Sequence, residues 1–310
     1  MAVIDAPRVL SAAVRQRPDV LVLDSIAAAF CGPYLALRLA LRRPRVPIVG
    51  MLHQPPGGID YGPPRLPVQA ALDRLTYRYV PRLLLASDSL RDDMLQLGYP
   101  PERLAVVPPG RDVAPVVGPT PDEPRHGRRA AFVCVGNWVE RKGIVSLLEA
   151  FAGLEPDAAT LHLIGDPSIE PAYAARVRQR LSARDLAQRV IVHGALPIGE
   201  VAAWYAAADA FVLPSLKEPF GTVYGEAMAF GLPVVGWRAG NLPYLADDER
   251  EGLLVQPGDL RGLTAAMARL ASDADLRRRL GTAARARASQ RPTWNEVAKL
   301  FFDHLREVQS

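Results

Sequence analysis

The sequence predicts an α/β protein with parallel sheets in two domains, and three observations carry that reading. Short apolar runs alternate with helical patterns along most of the chain. A stretch from Asp112 to Arg129, rich in Pro, Gly and charge and without an apolar period, reads as a linker between two such blocks. The 310 residues, 49% hydrophobic and 23% charged, have ordinary globular composition and suffice for one large or two average domains.

In the first block, Asp19 to Asp24 and Pro47 to Leu52 are apolar runs flanking Ile26 to Leu41, a β-α-β pattern that implies parallel strands. His53 follows the second run, just before the turn-rich Pro55-Pro56-Gly57-Gly58. It is a candidate site residue because open α/β sheets bind ligands at the carboxyl ends of their strands, although a lone histidine is as readily structural. Arg82 to Ala86 is a third strand, with Ser87 as cap for a helix at Leu90 to Leu97 that Gly98 closes. Leu104 to Val107 is a fourth, ending at Pro108-Pro109-Gly110.

The second block is more regular. Strands are expected at Ala130 to Gly136, Thr160 to Gly165, Arg189 to His193, Ala210 to Leu213, Pro233 to Gly236 and Gly252 to Val255. Helical patterns at Val145 to Leu154, Ala172 to Ala183, Glu200 to Ala207, Thr222 to Phe230 and Leu260 to Ala271 alternate with them, which is the pattern of a doubly wound parallel sheet. Helix continues from Ala274 to Gln290, breaks at Pro292 and resumes from Trp294 to Val308. The implied domains are 1–111, a linker 112–129, a second domain 130–290 and a C-terminal helix within 291–310.

Composition excludes several function classes. The net charge is +4 and the pI about 9.2, but the basic residues are spread and no aromatic-basic nucleic-acid motif appears, so no nucleic-acid partner is expected. A mild preference for anionic ligands or membrane surfaces remains. Cys31 and Cys134 lie far apart in apolar settings, which argues against a disulfide framework or a zinc site and fits a reducing cytoplasm. The start of the sequence carries no basic segment followed by an apolar one. Gly32, Pro33 and Arg38 interrupt Ile26 to Leu41, which rules against a membrane span. That segment reads either as an ordinary packed helix or as a surface helix turning Arg38, Arg42, Arg43 and Arg45 toward lipid headgroups on the inner membrane face.

The chemistry concentrates in Ser215 to Gly231, where a loop and a helix follow the strand at Ala210 to Leu213. Lys217, Glu218 and Glu226 stand there among small and apolar residues. Pro219 and Gly221 separate loop from helix, Thr222 is a candidate cap, and the free N–H groups of such a helix start can hold phosphate. Glu218 and Glu226 either serve a ligand or salt-bridge arginines on a solvated face. After the first strand of the second domain, Gly136 and Asn137 lead to Arg141, Lys142 and Gly143 at another helix start, a second anion site. Of 37 basic side chains only Lys142, Lys217 and Lys299 are lysines, so two lysines inside candidate site loops stand out in a chain that otherwise uses arginine. One phosphate-ready loop and one loop with two carboxylates, on one sheet edge, suit a nucleotide sugar.

Val-Gly-x5-Lys-Gly at Val135 to Gly143, Leu-Ile-Gly-Asp at Leu163 to Asp166, and Glu-Pro-Phe-Gly-x4-Glu-Ala at Glu218 to Ala227 resemble the retaining glycosyltransferases of family four. Their order and intervals match over nearly the whole chain, and Val106 to Asp112 resembles the end of that family's first domain. The resemblance implies the GT-B architecture, two Rossmann-like domains with parallel sheets facing a cleft. It implies that Lys142 neutralises the donor diphosphate, Glu226 binds ribose hydroxyls, Glu218 holds hydroxyls of the donor sugar, and the N–H groups near Gly221, Thr222 and Val223 meet phosphate. Phe220 and Lys217 belong to the same donor loop. His53 matches the active-site histidine beside the reacting sugar. No cofactor and no metal are expected, since the nucleotide sugar is itself the substrate, the second partner being a hydroxyl acceptor. The leaving phosphate itself is expected to help deprotonate that acceptor.

Two departures qualify the match. The family usually has an arginine where this chain has Asn137, and Arg141 is expected to compensate in part. Family members also begin with a strand and a Gly-rich loop, whereas Met1 to Gln16 contains no glycine. The first domain is therefore expected to be truncated, lacking roughly half of a typical Rossmann domain, with about four strands, an exposed sheet edge and an incomplete acceptor wall. Three readings follow: a retaining transferase, a non-catalytic nucleotide-sugar-binding subunit whose partner covers the exposed edge, or a sugar-nucleotide epimerase.

Overall fold

In the computed structural model, which describes residues 5–40, 46–59, 65–112 and 118–308 (the side chains of 38–40 apart), the chain forms two units. One comprises Met1–Gly110 and Pro292–Ser310, the other Arg111–Arg291.

The first unit contains α1 (Ala6–Arg15), β1 (Leu21–Asp24), α2 (Ser25–Ala40), β2 (Ile48–Leu52), α3 (Arg65–Arg78), β3 (Arg82–Leu85), α4 (Asp88–Gln96) and β4 (Leu104–Val106). The four strands pair in parallel in the order β1-β2-β3-β4. Ser87 caps α4, accepting from the Leu90 N–H at 3.2 Å, as the sequence suggests. Ala28, Cys31 and Leu35 of α2 are buried in the core together with Leu83 and Leu85 of β3, so this helix packs inward through small residues. No helix among the described residues is long and apolar enough to cross a membrane. Arg42, Arg43, Arg45 and the side chain of Arg38, the candidates for lipid contact, lie outside the described residues. The C-terminal helix, Trp294–Glu307, belongs to this unit. A capping box between Thr293 and Glu296 starts it, and Val297, Phe301 and Leu305 pack with Val49, Leu84 and Val107.

The second unit runs β5 (Ala130–Val135), α5 (Ile144–Ala152), β6 (Ala159–Ile164), α6 (Pro171–Leu181), β7 (Val190–Gly194), α7 (Ile198–Ala207), β8 (Ala210–Val212), α8 (Thr222–Ala229), β9 (Val234–Trp237), α9 (Leu242–Leu245), β10 (Gly252–Val255), α10 (Leu260–Ser272) and α11 (Ala274–Ser289). Its sheet is parallel with the order β10-β9-β8-β5-β6-β7. The chain thus winds outward from β5 in one direction, then returns to lay β8 on the other side of β5. The loops after β5 and β8 leave the sheet side by side at this reversal, where doubly wound sheets bind ligands.

The stretch that composition marks as a linker is anchored in its described part. Arg125 makes a bidentate pair with Asp209, at 2.9 and 2.7 Å, and its carbonyl accepts from the Thr160 hydroxyl at 2.8 Å. The Pro124 carbonyl lies 2.7 Å from His162 Nε2. Thr160 and His162 sit inside the fully buried strand β6, so the segment satisfies polar groups that would otherwise be stranded in the core.

Because a carbonyl only accepts, His162 Nε2 carries a hydrogen, and its bare Nδ1 receives one from His193 Nε2 at 3.1 Å. The ring lies against Trp204, centroids 4.1 Å apart, and burial pushes its pKa down from 6.5 to about 4. The unfolded chain therefore takes up a proton between those values that the folded chain refuses. Stability from this group is present above pH 6.5 and falls on acidification toward pH 4, by roughly 3 kcal/mol. Urea unfolding followed by tryptophan fluorescence should show this loss, and His162→Gln should flatten it; parallel pH profiles for the two proteins would contradict the assignment.

Candidate functional site

β5 delivers Gly136 and Asn137, then a single 3-10 turn, Glu140–Lys142, and Gly143 at the start of α5. β8 delivers Ser215, Lys217, Glu218 and Phe220, then Gly221 at the start of α8. Several contacts lace the two loops together. The Leu216 N–H and the Ser215 hydroxyl donate to the Arg141 carbonyl at 2.8 and 3.1 Å, and the Arg141 guanidinium donates to the Lys217 carbonyl at 3.0 Å. Lys142 Nζ forms an ion pair with Glu218 Oε2, with Arg141 3.8 Å from the same oxygen. Gly143 permits the approach: its φ is +69°, and a Cβ there would run into the Pro214 carbonyl.

The Lys142–Glu218 pair is mostly buried, the side chains 10% and 11% exposed. A buried pair is weak evidence for stability, yet removing one partner strands the other charge. Glu218 is the counter-ion of the lysine on the neighbouring loop, not a member of a solvated arginine face. Asn241 supports the loop, its N–H donating to the Glu218 carbonyl at 2.9 Å and its side-chain amide to the Phe220 carbonyl at 2.8 Å. Lys217 is exposed.

At the start of α8 the cap is Gly221, in the left-handed region with φ +70°, and no side chain caps the turn. Thr222, expected as the cap, is instead the first helical residue, because only glycine takes that backbone conformation without strain. The first intrahelical bonds run from Tyr224 and Gly225 to the Gly221 carbonyl, so helix geometry leaves the N–H groups of Thr222 and Val223 without an intrahelical acceptor. Glu226, one turn further on, is exposed and accepts from the buried Tyr205 hydroxyl at 3.2 Å. Desolvation by the surrounding protein raises its pKa, while the Tyr205 bond and the charge of Arg291 oppose that rise. Asn137 does not point to a second cation; its side-chain oxygen accepts from the Asp166 N–H at 3.2 Å and joins the β5 and β6 loops.

His53 lies in the first unit, after β2. Its Nε2 is 3.0 Å from Asp24 Oδ2, and its N–H donates to the Ser25 hydroxyl at 3.3 Å. Asp24 ends β1, the strand beside β2, and its other oxygen accepts from the Ile26 N–H at 2.8 Å. The following loop is held by buried Asp73 of α3, which accepts from the Gly57 N–H at 2.8 Å. Sequence reasoning did not single out Asp24, Asp73, Tyr205 or Arg291. A charge at the end of an apolar run signals Asp24, but nothing local signals the others.

The family model for glycosyl transferases group 1 matches residues 129–273, and that for the glycosyl transferase 4-like domain matches residues 1–110. The chain belongs to this glycosyltransferase family. Among its relatives is a D-inositol 3-phosphate glycosyltransferase of Xylanimonas cellulosilytica, 31% identical over 72% of this chain and 57% of the relative. Another is an MMP alpha-(1->4)-mannosyltransferase of Mycolicibacterium hassiacum, 34% identical over 71% of this chain and 53% of the relative. The chain thus spans a little over half the length of these two relatives. Solved structures agree in fold. Sucrose-phosphate synthase from Thermosynechococcus elongatus matches with a TM-score of 0.79 at 23% identity, over 99% of this chain and 78% of that one. Anabaena HepE, solved with UDP and glucose, matches with a TM-score of 0.79 at 22% identity, over 98% and 81%. The two α/β units on parallel sheets are those of GT-B glycosyltransferases.

The buried ion pair makes a measurable claim. Lys142→Met and Glu218→Gln should each destabilise the fold by roughly 3 kcal/mol, and the double variant should lose clearly less than their sum. Additive losses in a urea-unfolding cycle would show that the pair is not coupled.

Proposed function

We propose that this chain transfers a sugar from a nucleotide-diphosphate sugar to a hydroxyl acceptor with retention of anomeric configuration. The observation that carries the reading is the meeting of Lys142 and Glu218 at the reversal between β5 and β8, in a chain of this family. A diphosphate can replace Glu218 as the counter-ion of Lys142. The freed carboxylate can then accept hydrogen bonds from the donor sugar, so one exchange of partners prepares both halves of the substrate site.

In this account the N–H groups of Thr222 and Val223 at the start of α8 add to the field on the phosphate, and Glu226 takes the ribose hydroxyls. Arg141 supplies the second cation that Asn137 does not. His53, fixed by Asp24, is assigned to the reacting sugar. As the bond from the sugar C1 to the phosphate oxygen breaks, negative charge grows on the diphosphate, and Lys142 and the helix end lower the barrier by stabilising it. The acceptor oxygen bonds to C1 on the face the phosphate leaves, and its proton passes to the departing phosphate oxygen. No protein base is required, and no metal is assigned a role.

A panel of UDP-, GDP- and ADP-sugars with sugar and polyol acceptors tests the proposal. Turnover should persist with EDTA, the product should keep the donor's anomeric configuration by NMR, and Lys142→Met should lower kcat about 10²- to 10³-fold. Arg141→Ala should weaken donor affinity by a smaller factor. His53→Ala should lower kcat while leaving nucleoside diphosphate affinity unchanged. Nucleotide binding without turnover would point instead to a subunit needing a partner, and release of an isomerised sugar without acceptor to an epimerase.

A further inference from the structure

We infer that Tyr205 is the positioning residue for Glu226 and, through that carboxylate, sets the preference of the site for a ribose over a sugar without hydroxyls on its 2′ and 3′ carbons. The inference rests on the reading of Glu226 as the ribose-binding residue.

Tyr205, near the end of α7, is 2% exposed. Its ring meets Phe211 of β8 edge-on, with centroids 6.0 Å apart, and lies 5.9 Å from the ring of Phe230, which closes α8. The tyrosine is therefore packed against the strand and the helix between which the candidate donor loop runs. A ring held on two sides fixes the direction of its hydroxyl. A buried hydroxyl also needs a partner, and among the described residues the one hydrogen bond of this group goes to Glu226 Oε2, at 3.2 Å.

Glu226 has the opposite character. It is exposed, one turn into α8, with a flexible side chain that solvent alone would leave free to change rotamer. Among the described residues no other hydrogen bond or ion pair reaches its carboxylate, so Oε2 is tethered to the core while Oε1 is open. A carboxylate accepts hydrogens on both oxygens, which suits the two neighbouring hydroxyls of a ribose. The tether orders the side chain before a ligand arrives, so less freedom is lost on binding.

A tyrosine that merely satisfies the core and one that orients Glu226 predict different losses. Tyr205→Phe removes the hydroxyl and keeps the ring. Calorimetry with UDP, GDP and ADP, and with their 2′,3′-dideoxy counterparts, provides the comparison. For each base that binds, the unaltered protein should prefer the ribonucleotide by roughly tenfold or more. Tyr205→Phe should weaken the ribonucleotide about three- to tenfold and leave the dideoxynucleotide unchanged. In a Glu226→Ala background the same change should affect neither. Equal weakening of both ligands, or an unchanged ribonucleotide affinity, would overturn the role of Tyr205.

A second measurement stands apart from nucleotide binding. In the ligand-free protein labelled at glutamate side-chain carbons, with the Glu226 signal assigned by Glu226→Gln, the NMR titration of Glu226 should move to higher pH in Tyr205→Phe, because the hydrogen bond favours the ionised carboxylate. Asp112 and Arg291, the other charges acting on that carboxyl, are kept in this variant. An unmoved titration would overturn the positioning itself. If the unaltered protein bound ribo- and dideoxynucleotides equally, or bound none of them, the reading of Glu226 would fail instead, with the titration still deciding whether Tyr205 holds the carboxylate.

Discussion

The pairing of Lys142 with Glu218 is the constraint on which the candidate site depends. Two charges taken largely out of water must face each other, and they come from loops that are far apart in sequence but adjacent at the sheet edge. The surrounding contacts serve that meeting: Leu216 and Ser215 on the Arg141 carbonyl, Arg141 on the Lys217 carbonyl, and Gly143 beneath Pro214. In the proposed function this pair exchanges partners, an anion of higher charge satisfying the lysine and releasing the carboxylate.

The sheet order is what makes the meeting physically available. If the second unit wound in one direction only, β5 and β8 would be separated by β6 and β7, and the two loops would open apart. Reversal at β5 places the loops side by side, with α8 directing its amino end and Glu226 into the same edge. Behind this edge, Asn241 from the turn before α9 holds the loop at Phe220, while Tyr205 of α7 bonds Glu226 of α8.

Much of this was legible in the sequence wherever local pattern and structure coincide. The strands of both sheets are apolar runs ended for the most part by Gly, Pro or charge; Glu218 and Glu226 stand among small and apolar residues, and Lys142 is one of three lysines in a chain that otherwise uses arginine. Elements whose packing breaks the pattern were not legible. α3 buries Asp73 and Thr76 along with Ala70 and Tyr77, so its inward face has no apolar period. α1 is short and buries only Ala6 and Leu10. The described part of the 112–129 stretch has linker composition, yet Arg125 and Pro124 find partners in Asp209 and His162 that only the fold brings near. The partners of the site residues were hidden for the same reason: Asp24 beside His53 follows from strand pairing, and Tyr205 against Glu226 follows from helix packing. The cap of α8 at Gly221 rather than Thr222 is a backbone choice, set by the left-handed turn that brings the chain out of the loop.

The central claim is that a donor's diphosphate takes Lys142 from Glu218. A crystal structure of the chain with a bound nucleoside diphosphate tests it most directly. The account predicts a phosphate oxygen against Lys142 Nζ, the ribose on Glu226, and the Glu218 carboxylate withdrawn from the lysine. A nucleotide bound with its phosphates elsewhere and the Lys142–Glu218 pair intact would contradict it.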